Sequence, residues 1–200
     1  MFYLFDLIVP ITLILNRELV AMKKIIIVTF FVLCIVVSAW GEASFKEIKI
    51  LAKQGDAKVQ YLLGGMYCLG NGTPQDYKKA IYWLTKSAEQ GDVSAQYLLG
   101  GMYSLGNGTP QDYKKAIYWY TKSAEQGNAE AQCLVGLLYY LGDGIPQDYK
   151  TAYIWFNLAS ANGNKDAREV RDEVLKKLSA KQIVEAQQIS IKIQKRINFK

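Results

Sequence analysis

Residues 92–127 read DVSAQYLLGGMYSLGNGTPQDYKKAIYWYTKSAEQG, and the 36 residues before them, 56–91, match this stretch at 31 of 36 positions. Identity that high at a fixed period is an internal repeat, and it outranks any local signal. A third copy, 128–163, keeps 16 of the 36 residues of the middle copy, among them Gly136, Gly142, Gly144, Pro146, Asp148 and Trp155. What survives divergence inside one chain is what the scaffold needs.

Punctuation divides each copy into two helices. In the middle copy Asp92 is an N-cap residue, and Ala95, Leu99, Met102 and Tyr103 follow at helical spacing until Gly106, which can take the left-handed conformation that ends a helix. This predicts helix A over about 93–105. The loop from Gly106 to Gln111 holds two glycines and a proline and cannot continue the helix. Asp112 then caps helix B, about 113–126, with an apolar stripe of Ala116, Trp119, Tyr120 and Ala124. Gly127 closes it. Small residues at Ala95, Gly100, Ala116 and Ala124 let the two backbones approach, and Leu99, Tyr103 and Trp119 fill the space between them. A pair this short cannot bury its apolar faces alone, so neighbouring pairs must stack, which makes an all-α solenoid.

The pattern carried by Ala95 to Gly127, Ala-x3-Leu-Gly-x2-Tyr-x2-Gly-x-Gly-x-Pro-x-Asp-Tyr-x-Lys-Ala-x2-Trp-x7-Gly, resembles the Sel-one-like repeat, a 36-residue relative of the tetratricopeptide repeat. The resemblance covers about 56–163. It implies a right-handed superhelix of helix-turn-helix units and a role in protein–protein scaffolding, often in the bacterial envelope or in host interaction, with no catalysis of its own. Cysteine-rich members of that family staple helix A to helix B within a repeat. Those pairs are missing here, so the beta-lactamase-like activities proposed for such members are not implied.

The flanks complete the domain plan. Residues 1–41 hold two apolar blocks, each short of the ~20 residues a spanning helix needs. Met22-Lys23-Lys24, the run from Ile25 to Val37 and then Ser38-Ala39-Trp40-Gly41 have the basic, apolar and small-residue parts of a secretory signal. The expectation is a signal peptide at 22–41 cleaved after Gly41, with 1–21 an upstream, non-native extension. That places the protein in the periplasm or outside the cell, touching a membrane only through this segment before cleavage; the alternative is an uncleaved membrane anchor. Cys34 is a poor lipoprotein site because Leu33 stands where a small residue belongs. Residues 42–55 read as a solitary helix B with Phe45, Ile48 and Leu51 on its apolar face and Ala52 at the repeat's small position, capping the stack. In 164–200 the Leu-Gly and Gly-x-Gly signals stop. A charged helix with Val170, Val174 and Leu178 inward precedes a second, opened by the capping-box signal Ser179–Gln182. Its Ile183, Ala186, Ile189 and Ile193 are placed to dock on the third repeat, and both helices read as the C-terminal cap.

Composition narrows the chemistry. The 200 residues contain no histidine, which excludes histidine acid–base catalysis, Ser-His and Cys-His nucleophiles and most zinc sites. Asp76, Asp112 and Asp148 recur just before a helix and are caps; the Gly-x-Gly loop follows a helix rather than a strand and reads as a turn. No catalytic, cofactor or metal residues are expected. The net charge is +6, but 168–200 alone carries nine basic and four acidic residues, leaving the array neutral and without a basic groove for nucleic acid. Cys68 and Cys133 sit two repeats apart, beyond the ~7 Å reach of a disulfide, and are expected as free thiols.

Tyr67, Tyr103 and Tyr139, with Trp83, Trp119 and Trp155, hold equivalent places in the copies and read as core. Tyr61, Gly65, Tyr97, Gly101, Ser104, Leu137 and Tyr140 differ: by analogy with tetratricopeptide arrays, these helix A positions face the concave side. Tyrosines beside glycine gaps suit a partner peptide or helix, since tyrosine gives a large contact area at little entropic cost. Packing against the C-terminal helices or one another is the alternative. The functional expectation is an exported interaction scaffold, with a regulator of a cell-envelope peptidoglycan or polysaccharide enzyme, or a secreted host-interaction factor, as alternatives.

Overall fold

The computed structural model describes residues 44–199, and among these the only regular structure is helical. A first helix, α1, covers 44–53. There follow α2 (Ala57–Leu69), α3 (Tyr77–Glu89), α4 (Val93–Leu105), α5 (Tyr113–Ala124), α6 (Ala129–Leu141), α7 (Tyr149–Ala161), α8 (Lys165–Leu175) and α9 (Ala180–Asn198). The proposed signal segment lies outside the described residues.

The helix ends form where the caps lie in the sequence. The Asp92 carboxylate accepts from the Ala95 amide at 2.8 Å, and that of Asp112 accepts from Lys115 at 3.0 Å. Gly106, at φ 73°, closes α4 by donating its N–H to the Met102 carbonyl. Each side-chain cap satisfies an otherwise orphaned amide and contributes about 1 kcal/mol. At Asp148 partial burial pushes the carboxyl pKa up, but hydrogen bonds from Thr151 and Lys150 outweigh it and hold the pKa below the usual range.

Each helix A packs on its own helix B (α2 on α3, α4 on α5, α6 on α7), and each helix B packs on the following helix A. Within a pair the tightest approach is at Gly64, Gly100 and Gly136. A Cβ there would come within 2.7 Å of Leu84, 2.7 Å of Tyr120 and 2.9 Å of Phe156, respectively. The three helix B residues differ while the glycine does not, because the glycine makes the room.

Two devices join one repeat to the next. Gln60, Gln96 and Gln132 are buried, and their amides donate to the Ala52, Ala88 and Ala124 carbonyls at 3.1, 3.0 and 3.0 Å, closing the C-terminal end of the preceding helix. Their side-chain oxygens accept from Gln90, Gln126 and Asn162 at 2.7, 2.8 and 2.9 Å. The same carbonyls accept from the Gly55, Gly91 and Gly127 amides at 3.2, 3.0 and 3.0 Å, so each glutamine adds a second bond that ties the next repeat to the turn, worth about 0.5–1.5 kcal/mol. The second device is the loop. A Cβ at Gly108 would overlap Tyr77 of the preceding helix B, falling 2.9 Å from its carbonyl carbon, and Gly144 stands likewise against Tyr113. The Gly-x-Gly segment is thus a stacking surface as well as a turn.

At the N-terminal end Phe45 and Ile48 pack on the first repeat, with the Phe45 ring edge-on to Tyr67 at 5.4 Å, and Ala52 is fully buried. Leu51, expected on that face, is 46% exposed. Phe45 and Ala52 are seven residues apart and nearly in line, whereas Leu51 lies about a third of a turn away. Trp83 and Trp155 are buried; Trp119, expected in the core with them, is only partly buried against the first repeat's cluster.

α8 buries Ala167 and Val174. α9 lies on α7 rather than on α8 and runs parallel to it: Glu185 pairs with Lys150 at 3.3 Å, the Ser190 hydroxyl sits 3.5 Å from the Ile154 carbonyl, and the Gln194 amide donates to Asn162 at 3.2 Å. Its buried stripe is Ala186 and Ser190, with Ile183, Ile193 and Ile197 partly covered, and Ile189, expected to dock, points away at 37% exposure. Two of the third copy's differences fall at this contact. Ile154 and Leu158, where the other copies have Tyr82 and Lys86 or Tyr118 and Lys122, are the residues α9 covers.

Candidate functional site

One face of each of α2, α4 and α6 carries the residues expected to bind. Within each helix they fall at i, i+4 and i+7, so they share a face. Tyr61 and Gly65 line a shallow pocket of about 210 Å³ together with Leu62, Met66, Leu69 and Asn71. On α4, Gly101 leaves space that Tyr120 fills from helix B: a Cβ at Gly101 would lie 3.4 Å from the Tyr120 hydroxyl, and the Tyr97 ring centroid is 5.8 Å from that of Tyr120. Burial, with Tyr97 adding to it, pushes the Tyr120 phenol up to about 12. Ser104 is partly buried, and its backbone carbonyl accepts from the Gln111 amide at 2.7 Å.

On α6, Leu137 is exposed where the earlier copies have glycine. Tyr140 is drawn toward the C-terminal cap, its ring 5.8 Å from Tyr149, with the Lys177 ammonium 6.0 Å from the Tyr140 centroid and 5.0 Å from that of Tyr149. Tyr97 and Tyr140 are thus both half-buried against a helix B tyrosine of their own repeat, while Tyr61 and Gly65 border the open pocket on α2.

Sequence reasoning missed four leucines. Leu69, Leu105 and Leu141 end the three helices A and are 80%, 72% and 51% exposed, and Leu62 is exposed beside Tyr61. Recurrence in every copy reads as scaffold in sequence, yet three large apolar side chains at equivalent places stand in solvent. The free thiols lie elsewhere in this frame. Cys68, raised in pKa by burial, sits with its sulfur 3.8 Å from that of Met102, and Cys133 is likewise raised, by burial and then by Asp166 and Glu130. Among the described residues no three His, Cys, Asp or Glu side chains come together as a metal site. What this face offers is apolar and aromatic area at one-repeat intervals.

A family model described as the Sel1 repeat matches residues 57–92, 93–128 and 129–164, three consecutive blocks covering more than half of the chain. They begin one residue after the repeats drawn from the sequence. A putative sel1-like repeat-containing protein of Acanthamoeba polyphaga mimivirus is 49% identical over 43 residues, 22% of this chain and 7% of that protein. Among solved structures, a Sel1 repeat protein from Oxalobacter formigenes superposes with a TM-score of 0.63 at 28% identity, over 76% of this chain and 64% of that one. A protective antigen of uropathogenic Escherichia coli with an SLR fold gives a TM-score of 0.51 at 31% identity, over 76% and 41% of the two chains. Cysteine rich protein B of Helicobacter pylori shares the fold, with a TM-score of 0.53 at 22% identity over 64% of this chain and 96% of its own. The chain thus spans 7% of the viral relative and under two thirds of the Oxalobacter and Escherichia proteins.

Proposed function

Because the chain belongs to the Sel1 repeat family, whose arrays are non-catalytic protein-interaction modules, we propose that it is an exported scaffold that holds a partner peptide or helix along this face of α2, α4 and α6. The observation that carries this reading is the recurrence of exposed apolar side chains on that face at one-repeat intervals, Leu69, Leu105 and Leu141 beside Tyr61 and Tyr97. A partner laid across the repeats would cover all three leucines of this row together, which is the apolar area an interaction surface exposes. The row has the period of the fold, so an extended or helical segment laid across the repeats meets the same contact several times. Aromatic anchors beside small residues supply the area per side chain that interface hot spots need. No enzymatic activity and no cofactor are part of this reading.

Export rests on the basic, apolar and small-residue regions of 22–41, and it fits the likeness to a protein described as a protective antigen. A periplasmic or secreted destination follows, with a partner in the envelope or outside the cell.

The test is crosslinking and affinity capture from whole cells, with a C-terminal tag, comparing wild type with the triple variant Tyr61→Ala, Tyr97→Ala, Tyr140→Ala. The expected result is a partner retained by wild type and lost by the variant, while helicity stays intact. Equal capture by both would move the contact off this face. For export, N-terminal sequencing of the released protein is expected to begin at Glu42, and a start inside 1–38 would overturn it.

A further inference from the structure

The outer face of the helices B is built three times and covered once. On α7, Lys150, Ile154 and Leu158 stand in line at successive turns, and α9 lies along them: Glu185 pairs with Lys150 at 3.3 Å, and the small residues Ala186 and Ser190 face Ile154 and Leu158, both buried. The same places are Lys114, Tyr118 and Lys122 on α5, and Lys78, Tyr82 and Lys86 on α3. Among the described residues nothing lies over them, and Tyr82 and Tyr118 are 55% and 54% exposed.

These exposed rings are held in place. Tyr82 is edge-on to Trp83 at 5.1 Å with the Lys86 ammonium 5.2 Å from its centroid; Tyr118 is edge-on to Trp119 at 4.9 Å with Lys122 at 5.6 Å. Charge accompanies them. Lys79 and Lys115 are paired with their own caps, Asp76 and Asp112, but among the described residues Lys78, Lys86, Lys114 and Lys122 pair with no carboxylate. The face is also continuous with the α9 interface, since Ile197 rests on Gly127 at the end of α5, where a Cβ would come within 3.0 Å.

We propose that the outer face of α3 and α5 binds an acidic amphipathic helix of a partner protein, laid parallel to these helices as α9 is laid on α7. Carboxylates of that helix meet Lys78 and Lys114, the counterparts of Lys150, and the neighbouring Lys86 and Lys122. Its small residues pass over Tyr82 and Tyr118, as Ala186 and Ser190 pass over Ile154. A second copy's α9 does not suit this face: it carries Lys181, Lys192, Lys195 and Arg196 against the single acid Glu185, and like charges would meet. On α7 the conflict is relieved in the sequence, where Thr151 and Leu158 replace two of the three lysines. This surface is separate from the contact face of the helices A, and its test is independent of that reading.

The probe is a fluorescein-labelled peptide of residues 180–198 carrying K181E, K192E, K195E and R196E, titrated into the full chain and read by anisotropy. Saturable binding is expected, with none for the native basic peptide. The quadruple variant K78E/K86E/K114E/K122E is expected to weaken it at least about tenfold, with helicity unchanged. If that variant does not fold, K86Q/K122Q replaces it, with a loss of about threefold expected. Carbodiimide crosslinks from the peptide are expected at Lys78, Lys86, Lys114 or Lys122. Crosslinks only at Lys150 or on α8, undiminished binding to the folded variants, absence of saturable binding, or binding of phosphatidylglycerol vesicles without the peptide would each overturn the proposal.

Discussion

Replacing Gly108 with alanine separates two reasons why a loop glycine is needed. Gly108 has φ +75°, and an alanine there pays about 1–2 kcal/mol for the left-handed conformation. Its Cβ would also run into Tyr77, 2.9 Å from the carbonyl carbon, where backbone rather than a flexible side-chain tip must give way. Forcing a methyl into a packed contact costs about 1–3 kcal/mol more. Gly91 is the control, because it has φ +93° but nothing within 4 Å of the place a Cβ would take. The expected losses are therefore about 1–2 kcal/mol for Gly91→Ala and about 2–5 kcal/mol for Gly108→Ala. Urea unfolding followed by circular dichroism reads both. Because Tyr77 belongs to the first repeat and Gly108 to the second, Gly108→Ala is also expected to broaden the transition as the two repeats uncouple. Losses equal within about 0.5 kcal/mol would refute the stacking role and leave the loop a turn only.

Two further outcomes test the core. Gln96→Ala removes two hydrogen bonds across the joint, to the Ala88 carbonyl and from the Gln126 amide, each of which keeps a second partner at Gly91, and at about 0.5–1.5 kcal/mol per bond it is expected to cost about 1–3 kcal/mol in urea unfolding, with faster amide exchange where α3 meets α4; a loss under ~0.5 kcal/mol would mean water substitutes freely. Tyr120, with its phenol at about 12 in the fold and an ordinary value of 10.0, favours the neutral form when folded, so its contribution is complete below pH 10 and drains away as the pH rises through 12. Two units correspond to about 2–3 kcal/mol. Tyr120→Phe, which copies Phe156 of the third repeat, is expected to flatten that alkaline fall in a pH series of thermal melts; an unchanged slope would place the phenol in water.

The helices were legible because their boundaries are local: Asp92, Asp112, Gly106 and the proline loop act within a few residues of themselves. The close pairing at Gly100 was legible too, since a small residue retained in three copies implies a near backbone. The joints between repeats were not. Gln96 looks like any helix-surface glutamine until Ala88, eight residues back, and Gln126, thirty ahead, are brought to it. Gly108 reads as a turn residue because its neighbour Tyr77 lies in the previous copy. Ile189 and Leu51 were misplaced by small errors in helical phase, which decide whether an apolar residue on an amphipathic helix turns in or out. In the candidate site, the tyrosines and glycines were picked out by type and spacing, but Leu69, Leu105 and Leu141 were hidden by their own regularity.

The glutamine joints bear on how the length of such a chain can change. Gln96 reaches back to Ala88 and Gln132 to Ala124 by the same bonds, so the end of the first copy and the end of the second present the same socket to whatever follows. Thirty-six residues inserted between them would find every donor and acceptor already waiting, and unequal exchange between two nearly identical stretches supplies such insertions in whole units. Loss at the other end is a different matter. Without the third copy, α9 would face Tyr118 and Lys122 in place of Ile154 and Leu158, bringing its lysines to a lysine-bearing surface. The array is free to grow from its middle and fixed at its last unit.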